Sequence, residues 1–276
     1  MVKGILKTSP ISKILISKYS LIAFFLTLLF FFSSFLKAEF YAVATRHHLA
    51  TDIGMTVLEE GGNAIDAAVA VAFALAVVNP SAGNLGGGGF MLLHLAESNE
   101  TFSIDYRERA PTKSFEKMFQ DNSGKVVKGL SLSSILASGV PGTVSGMFYA
   151  AENYGTLKIE NLIKPSIELA KKGFALSDFQ AKNLNKYKKK FSKDKEAEKI
   201  FTRANGFSEG DILVQKNLAS TLERIKRNGI EEFYSGDTAK KIANFFQING
   251  GILSLTDLNQ YKIRILKPVC RNYRSY

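Results

Sequence analysis

A single cysteine, Cys270, is all that the 276 residues contain, and it rules out any intrachain disulfide framework. The three histidines, His47, His48 and His94, show no paired spacing that could complete a structural zinc site. Only six prolines occur, with no Pro/Ser-rich linker and no internal repeat, so one compact domain is expected rather than an array. No Gly-x-Ser-x-Gly elbow is present, which removes the α/β-hydrolase kind of serine nucleophile. What remains is 46% hydrophobic and 22% charged, with 22 glycines. That is too apolar for disorder and long enough to bury one large core or two small ones.

Net charge is +11, which invites a nucleic-acid reading until the charges are placed. Lys3, Lys7, Lys13, Lys18 and Lys37 stand in residues 1 to 38 without an acid, and without them the charge falls to +6. Residues 181 to 200 hold eight lysines against Asp194, Glu196 and Glu198. A lysine run without interleaved arginine or aromatic stacking reads as a solvated helix face, so no nucleic-acid partner is expected.

The N-terminal lysines precede an uncharged run over residues 19 to 36, YSLIAFFLTLLFFFSSFL, followed by Lys37-Ala38-Glu39. This is the pattern of an export signal cleaved after Ala38, with residues 39 to 276 as the mature region. An uncleaved anchor is the competing reading, because the run is near the shortest length that spans a bilayer and Leu36 is bulky for a cleavage site. Either way the chain is expected to work in the periplasm or outside the cell, touching membrane only through this segment.

Beyond Ala42 helical and strand signals alternate. Residues 48 to 60 predict a helix stopped by Gly61-Gly62, and Asn63 caps a second one, AIDAAVAVAFALAVV, ended by Asn79-Pro80. The second is apolar nearly all round, which predicts a central helix covered on every side. Residues 90 to 95 and 101 to 106 read as an antiparallel hairpin turning at Ser98-Asn99. Helices are then expected after Pro141-Gly142 to Tyr154, from Ile159 to Lys172, from the Ser177-Asp178 start, from Lys216 to Asn228 and from Asp237 to Asn249, with a last turn from Thr256-Asp257 and a strand over Tyr261 to Leu266.

Asn84-Leu85-Gly86-Gly87-Gly88-Gly89-Phe90 follows a helix and leads into a strand, the reverse of the order a phosphate-binding loop needs. The glycines permit positive φ and let neighbouring backbone come close, as a tight buried connection or in direct ligand contact. Asp105-Tyr106-Arg107-Glu108-Arg109-Ala110-Pro111 closes the hairpin with four charges in five residues. It reads either as an exposed strand end with mutual ion pairs or as a guanidinium clamp for a carboxylate. Cys270 has Lys267 and Arg271 nearby but no histidine, and reads as inert. The adjacent His47 and His48 cannot face one metal from a helix, so a surface or capping role is expected.

Taken together, residues 61 to 92, IDYRERAP (104 to 111), ASGVPGTVSG (137 to 146), 213 to 236 and 249 to 262 strongly resemble the large subunit of γ-glutamyltranspeptidases, also called glutathione hydrolases. The likeness runs from about Tyr41 to Tyr276. It implies an α+β chain belonging to a four-layer αββα sandwich of the N-terminal-nucleophile hydrolase type, incomplete here, made as a precursor that cleaves itself. It further implies that a threonine at the start of the small subunit attacks the γ-glutamyl amide of glutathione or a similar compound, its own α-amino group acting as base, and that the acyl group passes to water or an amino acid. Arg107 fits the position of the family's arginine that binds the substrate α-carboxylate. No cofactor or metal is implied.

The Thr-Thr-His-like start of the small subunit is missing, and no Thr-Thr pair occurs anywhere in the chain. The expectation is therefore a C-terminally truncated large-subunit region with no catalytic residue of its own, inactive without its small-subunit partner. A related amide or β-lactam acylase, or a non-catalytic γ-glutamyl-binding module, are the alternative readings.

Overall fold

The computed structural model describes residues 41 to 274, and the proposed signal segment lies outside them. Chain order is α1 (His48–Glu59), α2 (Ala64–Val78), β1 (Phe90–Leu95), β2 (Glu100–Asp105), α3 (Leu130–Ser133), α4 (Thr143–Tyr154), α5 (Ile159–Lys172), β3 (Phe174–Ala175), α6 (Asp178–Phe191), α7 (Lys195–Phe201), β4 (Ile212–Leu213), α8 (Lys216–Asn228), α9 (Glu231–Tyr234), α10 (Asp237–Ile248), α11 (Leu255–Asn259) and β5 (Arg264–Leu266). Among the described residues no helix is long and apolar enough to cross a membrane.

Helix α2 is the spine. Asn63 accepts from the amides of Ile65 and Asp66 at 2.9 and 3.0 Å, while Asp66 accepts from Asn63 N–H at 2.9 Å, a reciprocal cap that satisfies otherwise orphaned donors. At the other end the amides of Gln180 and Gln215 each donate at 2.7 Å to the carbonyls of Val78 and Val77. Val69, Ala70, Phe73, Ala74, Val77 and Val78 are buried against α1, α4 and α5, and α5 in turn packs on α8. Burial is not complete all round, as the composition suggested. Ala68, Val71, Ala72 and Leu75, one stripe at helical spacing, are only half-buried.

The hairpin forms with β1 as predicted and β2 one residue earlier, through a turn with Asn99 at φ 54°. Both ladders are antiparallel, in the order β1-β2-β5, with Phe90 opposite Asp105 and Asp105 opposite Arg264. Directly opposed residues share a face, so Met91, Leu93, Phe102 and Ile104 lie on one side and Phe90, Leu92, His94, Ser103 and Leu266 on the other. The first side holds buried Leu93 and Ile104, and Phe102 meets Tyr154 of α4 at 4.9 Å. The second leaves Phe90 62% and Leu92 67% exposed. A two-stranded β3-β4 pair stands apart.

The final short helix starts one residue before the predicted Thr256. Ser254 is its cap, accepting from Asp257 N–H, and Asp257 returns the bond to Ser254. Three of the elements that composition did not flag, α3, α7 and α9, are at most seven residues long, too short for a periodic pattern to show.

Candidate substrate-carboxylate site

Arg107 lies just past the end of β2. The ladder continues one step beyond the strands, with Gly89 and Tyr106 exchanging backbone bonds at 3.3 and 3.0 Å, and pairing resumes where Arg109 and Val140 exchange theirs at 3.1 and 2.7 Å. Arg107 falls in the gap, with its amide donating to Asp105 Oδ1 at 3.0 Å and its carbonyl accepting from Tyr261 Oη at 2.9 Å. Its side chain is 57% exposed, and its ion pair is with Glu108, Nε to Oε2 at 3.4 Å. That distance lacks hydrogen-bond geometry, and Glu108 Oε2 has no hydrogen-bond partner at all. The guanidinium fork is thus largely unspent.

The glycine run lies directly beneath. None of Gly86 to Gly89 has a positive φ, so turn geometry is not what requires them. Close approach is. A methyl on Gly88 would sit 2.5 Å from Tyr106 O, 2.8 Å from Glu108 N and 2.9 Å from Arg107 Cα. The loop is pinned from the other side, because Gly87 O accepts from the amides of Gly142 and Thr143 at 2.7 and 3.1 Å and Asn84 accepts from Gly87 N–H and the Thr143 hydroxyl. The run therefore joins β1, the Arg107 segment and the start of α4.

Asp105 departs from the exposed-strand-end reading: it is 1% exposed and pairs with Arg264 on β5 rather than with its sequence neighbours. Burial pushes its carboxyl upward, but the Arg107 amide and the Arg264 guanidinium outweigh that and hold it below the usual carboxylate range. Tyr261 stacks on Tyr234 with centroids 5.6 Å apart and planes at 13°. Tyr234 donates to Pro141 O at 2.9 Å and accepts from Ser145 N–H at 3.2 Å. Burial raises the Tyr261 phenol to about 12, so it stays a donor at any working pH.

One recess adjoins these elements and a second lies away from them. The smaller, about 330 Å³, adjoins this segment and is lined by Arg109, Thr112, Val140, Asp257 and Tyr261. The larger, about 390 Å³, lies between the starts of α1 and α6, among His47, Phe179, Tyr187 and Phe201. It has no contact with Arg107. His47 caps α1, its Nδ1 accepting from Leu49 N–H at 3.3 Å, and burial followed by the charge of His48 lowers its pKa. Cys270 is exposed, and among the described residues no three His, Cys, Asp or Glu side chains converge as metal ligands. Tyr261 and Arg264 could not be found from the sequence, since nothing local marks them as partners of residues some 155 positions earlier.

This mixed helix-and-sheet architecture is shared with solved enzymes. The γ-glutamyltranspeptidase of Helicobacter pylori superposes with a TM-score of 0.84 at 47% identity, covering 87% of this chain and 69% of that one. The chain belongs to the γ-glutamyltranspeptidase family, whose model matches residues 50 to 276. It is 48% identical over 241 residues to a glutathione hydrolase proenzyme of a Pseudomonas species and 44% identical over 242 residues to that of Escherichia coli. Each match takes in 87% of this chain and 42% of the relative. The chain thus spans about two fifths of the length of these curated relatives.

Proposed function

We propose that the chain is the large-subunit region of an exported γ-glutamyl hydrolase and transferase, and that Arg107 binds the α-carboxylate of glutathione or another γ-glutamyl donor. The observation that carries this is an exposed, largely unspent guanidinium on a backbone held at both its N–H and its C=O. A planar fork of that kind donates two parallel hydrogen bonds to a carboxylate. The negative charge this brings is matched by Arg107 itself, with Arg109 in the same segment.

The reaction proper belongs to a small-subunit threonine. Its hydroxyl attacks the γ-carbonyl, its own α-amino group takes the proton, the leaving amine departs protonated, and the acyl-enzyme is resolved by water or an amino acid. On this reading the exposed face of Phe90, Leu92 and Leu266 is the inner face of an αββα sandwich, covered by the partner sheet of the small subunit. The glutathione hydrolase proenzymes among the relatives support a two-subunit product.

A precursor in which these residues are joined to small-subunit sequence should cleave itself and release glutamate from glutathione, and the 276-residue chain alone should do neither. Glutamate release by the chain alone, above a buffer blank, would overturn the assignment of the nucleophile.

A further inference from the structure

Arg107 is the residue of its segment whose two backbone groups are both held by side chains, one of them from the far end of the described chain. We propose that Tyr261 is a positioning residue for Arg107, fixing its peptide so that the guanidinium meets a donor α-carboxylate in one orientation. This rests on the carboxylate-binding reading of Arg107 and adds to it.

The ladder bonds stop at Tyr106 and resume at Arg109, so nothing in the sheet fixes the intervening peptide. The Tyr261 hydroxyl and the Asp105 carboxylate take over that task at 2.9 and 3.0 Å. Both are themselves held: Tyr261 by the stacked Tyr234, whose hydroxyl is tied to Pro141 and Ser145, and Asp105 by Arg264. Gly88 lies so close beneath that an added methyl would stand 2.9 Å from the Arg107 Cα, which leaves the segment little room to relax in that direction. Bidentate recognition tolerates only about 10 to 20° of misorientation, and a long arginine side chain on a loose peptide would lose orientation at its root. Tyr261 makes its hydrogen bond to the Arg107 carbonyl and none to the guanidinium. Its action is entirely through the Arg107 carbonyl.

The test uses the full-length precursor and two donors: a γ-glutamyl anilide, and the 4-aminobutyryl anilide that differs only in lacking the α-carboxylate. The ratio of their kcat/KM values reports carboxylate recognition. Tyr261→Phe keeps the ring and its stack and removes one hydroxyl, and should lower that ratio about tenfold, mainly through KM of the γ-glutamyl donor. Arg107→Ala should abolish the preference, and adding Tyr261→Phe to it should change the ratio no further. Arg264→Gln, a change at a half-exposed side chain that loosens Asp105, should lower the ratio by a smaller factor, and supplies the reading if Tyr261→Phe does not mature. A ratio unchanged in the tyrosine variant, or equal losses on both donors, would overturn the positioning role. A ratio unchanged in Arg107→Ala would instead overturn the carboxylate reading beneath it.

Discussion

The Asp66 carboxylate accepts from the Thr156 amide at 3.0 Å and the Thr156 hydroxyl at 2.7 Å, across ninety residues of sequence. Oδ1 of the same group accepts from Leu157 N–H at 3.2 Å, and Oδ2 caps α2 through Asn63. One fully buried acid thus joins the start of the central helix to the turn between α4 and α5. Asp66→Ala would leave three part-buried amides without their acceptor, and should cost about 1 to 3 kcal/mol. Urea midpoints of the variant and parent measure it, and a loss below about 1 kcal/mol would show that water replaces the carboxylate.

Arg107→Lys in the full-length precursor should impair γ-glutamyl donors nearly as much as Arg107→Ala, because an ammonium cannot make two parallel bonds. The expected loss in kcat/KM is on the order of 2 to 4 kcal/mol. Unchanged kinetics in the lysine variant, with self-cleavage intact, would return Arg107 to a surface pair with Glu108.

Glu232 gives a defined acid response. Burial raises its pKa, but the Thr238 hydroxyl and amide, Asn228 and Arg224 together bring it down to about 2 from the ordinary 4.5. A group whose folded pKa is depressed stabilises fully above its unfolded value and loses that contribution as pH falls from about 4.5 toward about 2. In Glu232→Gln the fall in stability across this window should be shallower, and the variant less stable at neutral pH. Denaturation curves at stepwise lower pH check it, and parallel curves for both proteins would contradict it.

Gly142→Ala should destabilise the start of α4, since a methyl there overlaps the Tyr106 carbonyl oxygen and the Tyr261 hydroxyl. The hydroxyl can move but the carbonyl cannot without disturbing the Arg107 segment, so the cost is expected at about 1 to 3 kcal/mol. The thermal midpoint reads it. No shift would mean that the loop relaxes without strain.

Export should leave Glu39 as the mature N-terminus, because Ala38 is the small residue that follows the apolar run. N-terminal sequencing of the exported protein decides it. Protein that begins at Met1 and stays in the membrane after carbonate extraction favours the anchor.

Much of the fold was legible because its signals are local. Asn63, and Ser177 before Asp178, mark helix starts that the structure reproduces. The apolar run at residues 90 to 95, bounded by the glycines and the Ser98-Asn99 turn, placed β1 at its observed bounds. The sequence points to Thr256 where the structure uses Ser254 as the cap, because two hydroxyl residues and one acid fit the same short pattern and only backbone geometry separates them.

The site divides in the same way. By itself the sequence determined that Arg107 follows a strand beside a glycine run, since both features lie within a few residues of their own signals. Only the tertiary structure decided that Asp105 is buried against Arg264, that Gly88 serves close approach rather than positive φ, and that Tyr261 holds the Arg107 carbonyl. Those relations join residues up to 159 positions apart. They arise from how α4, α11 and β5 pack around the hairpin, and no periodicity or cap encodes a contact of that range.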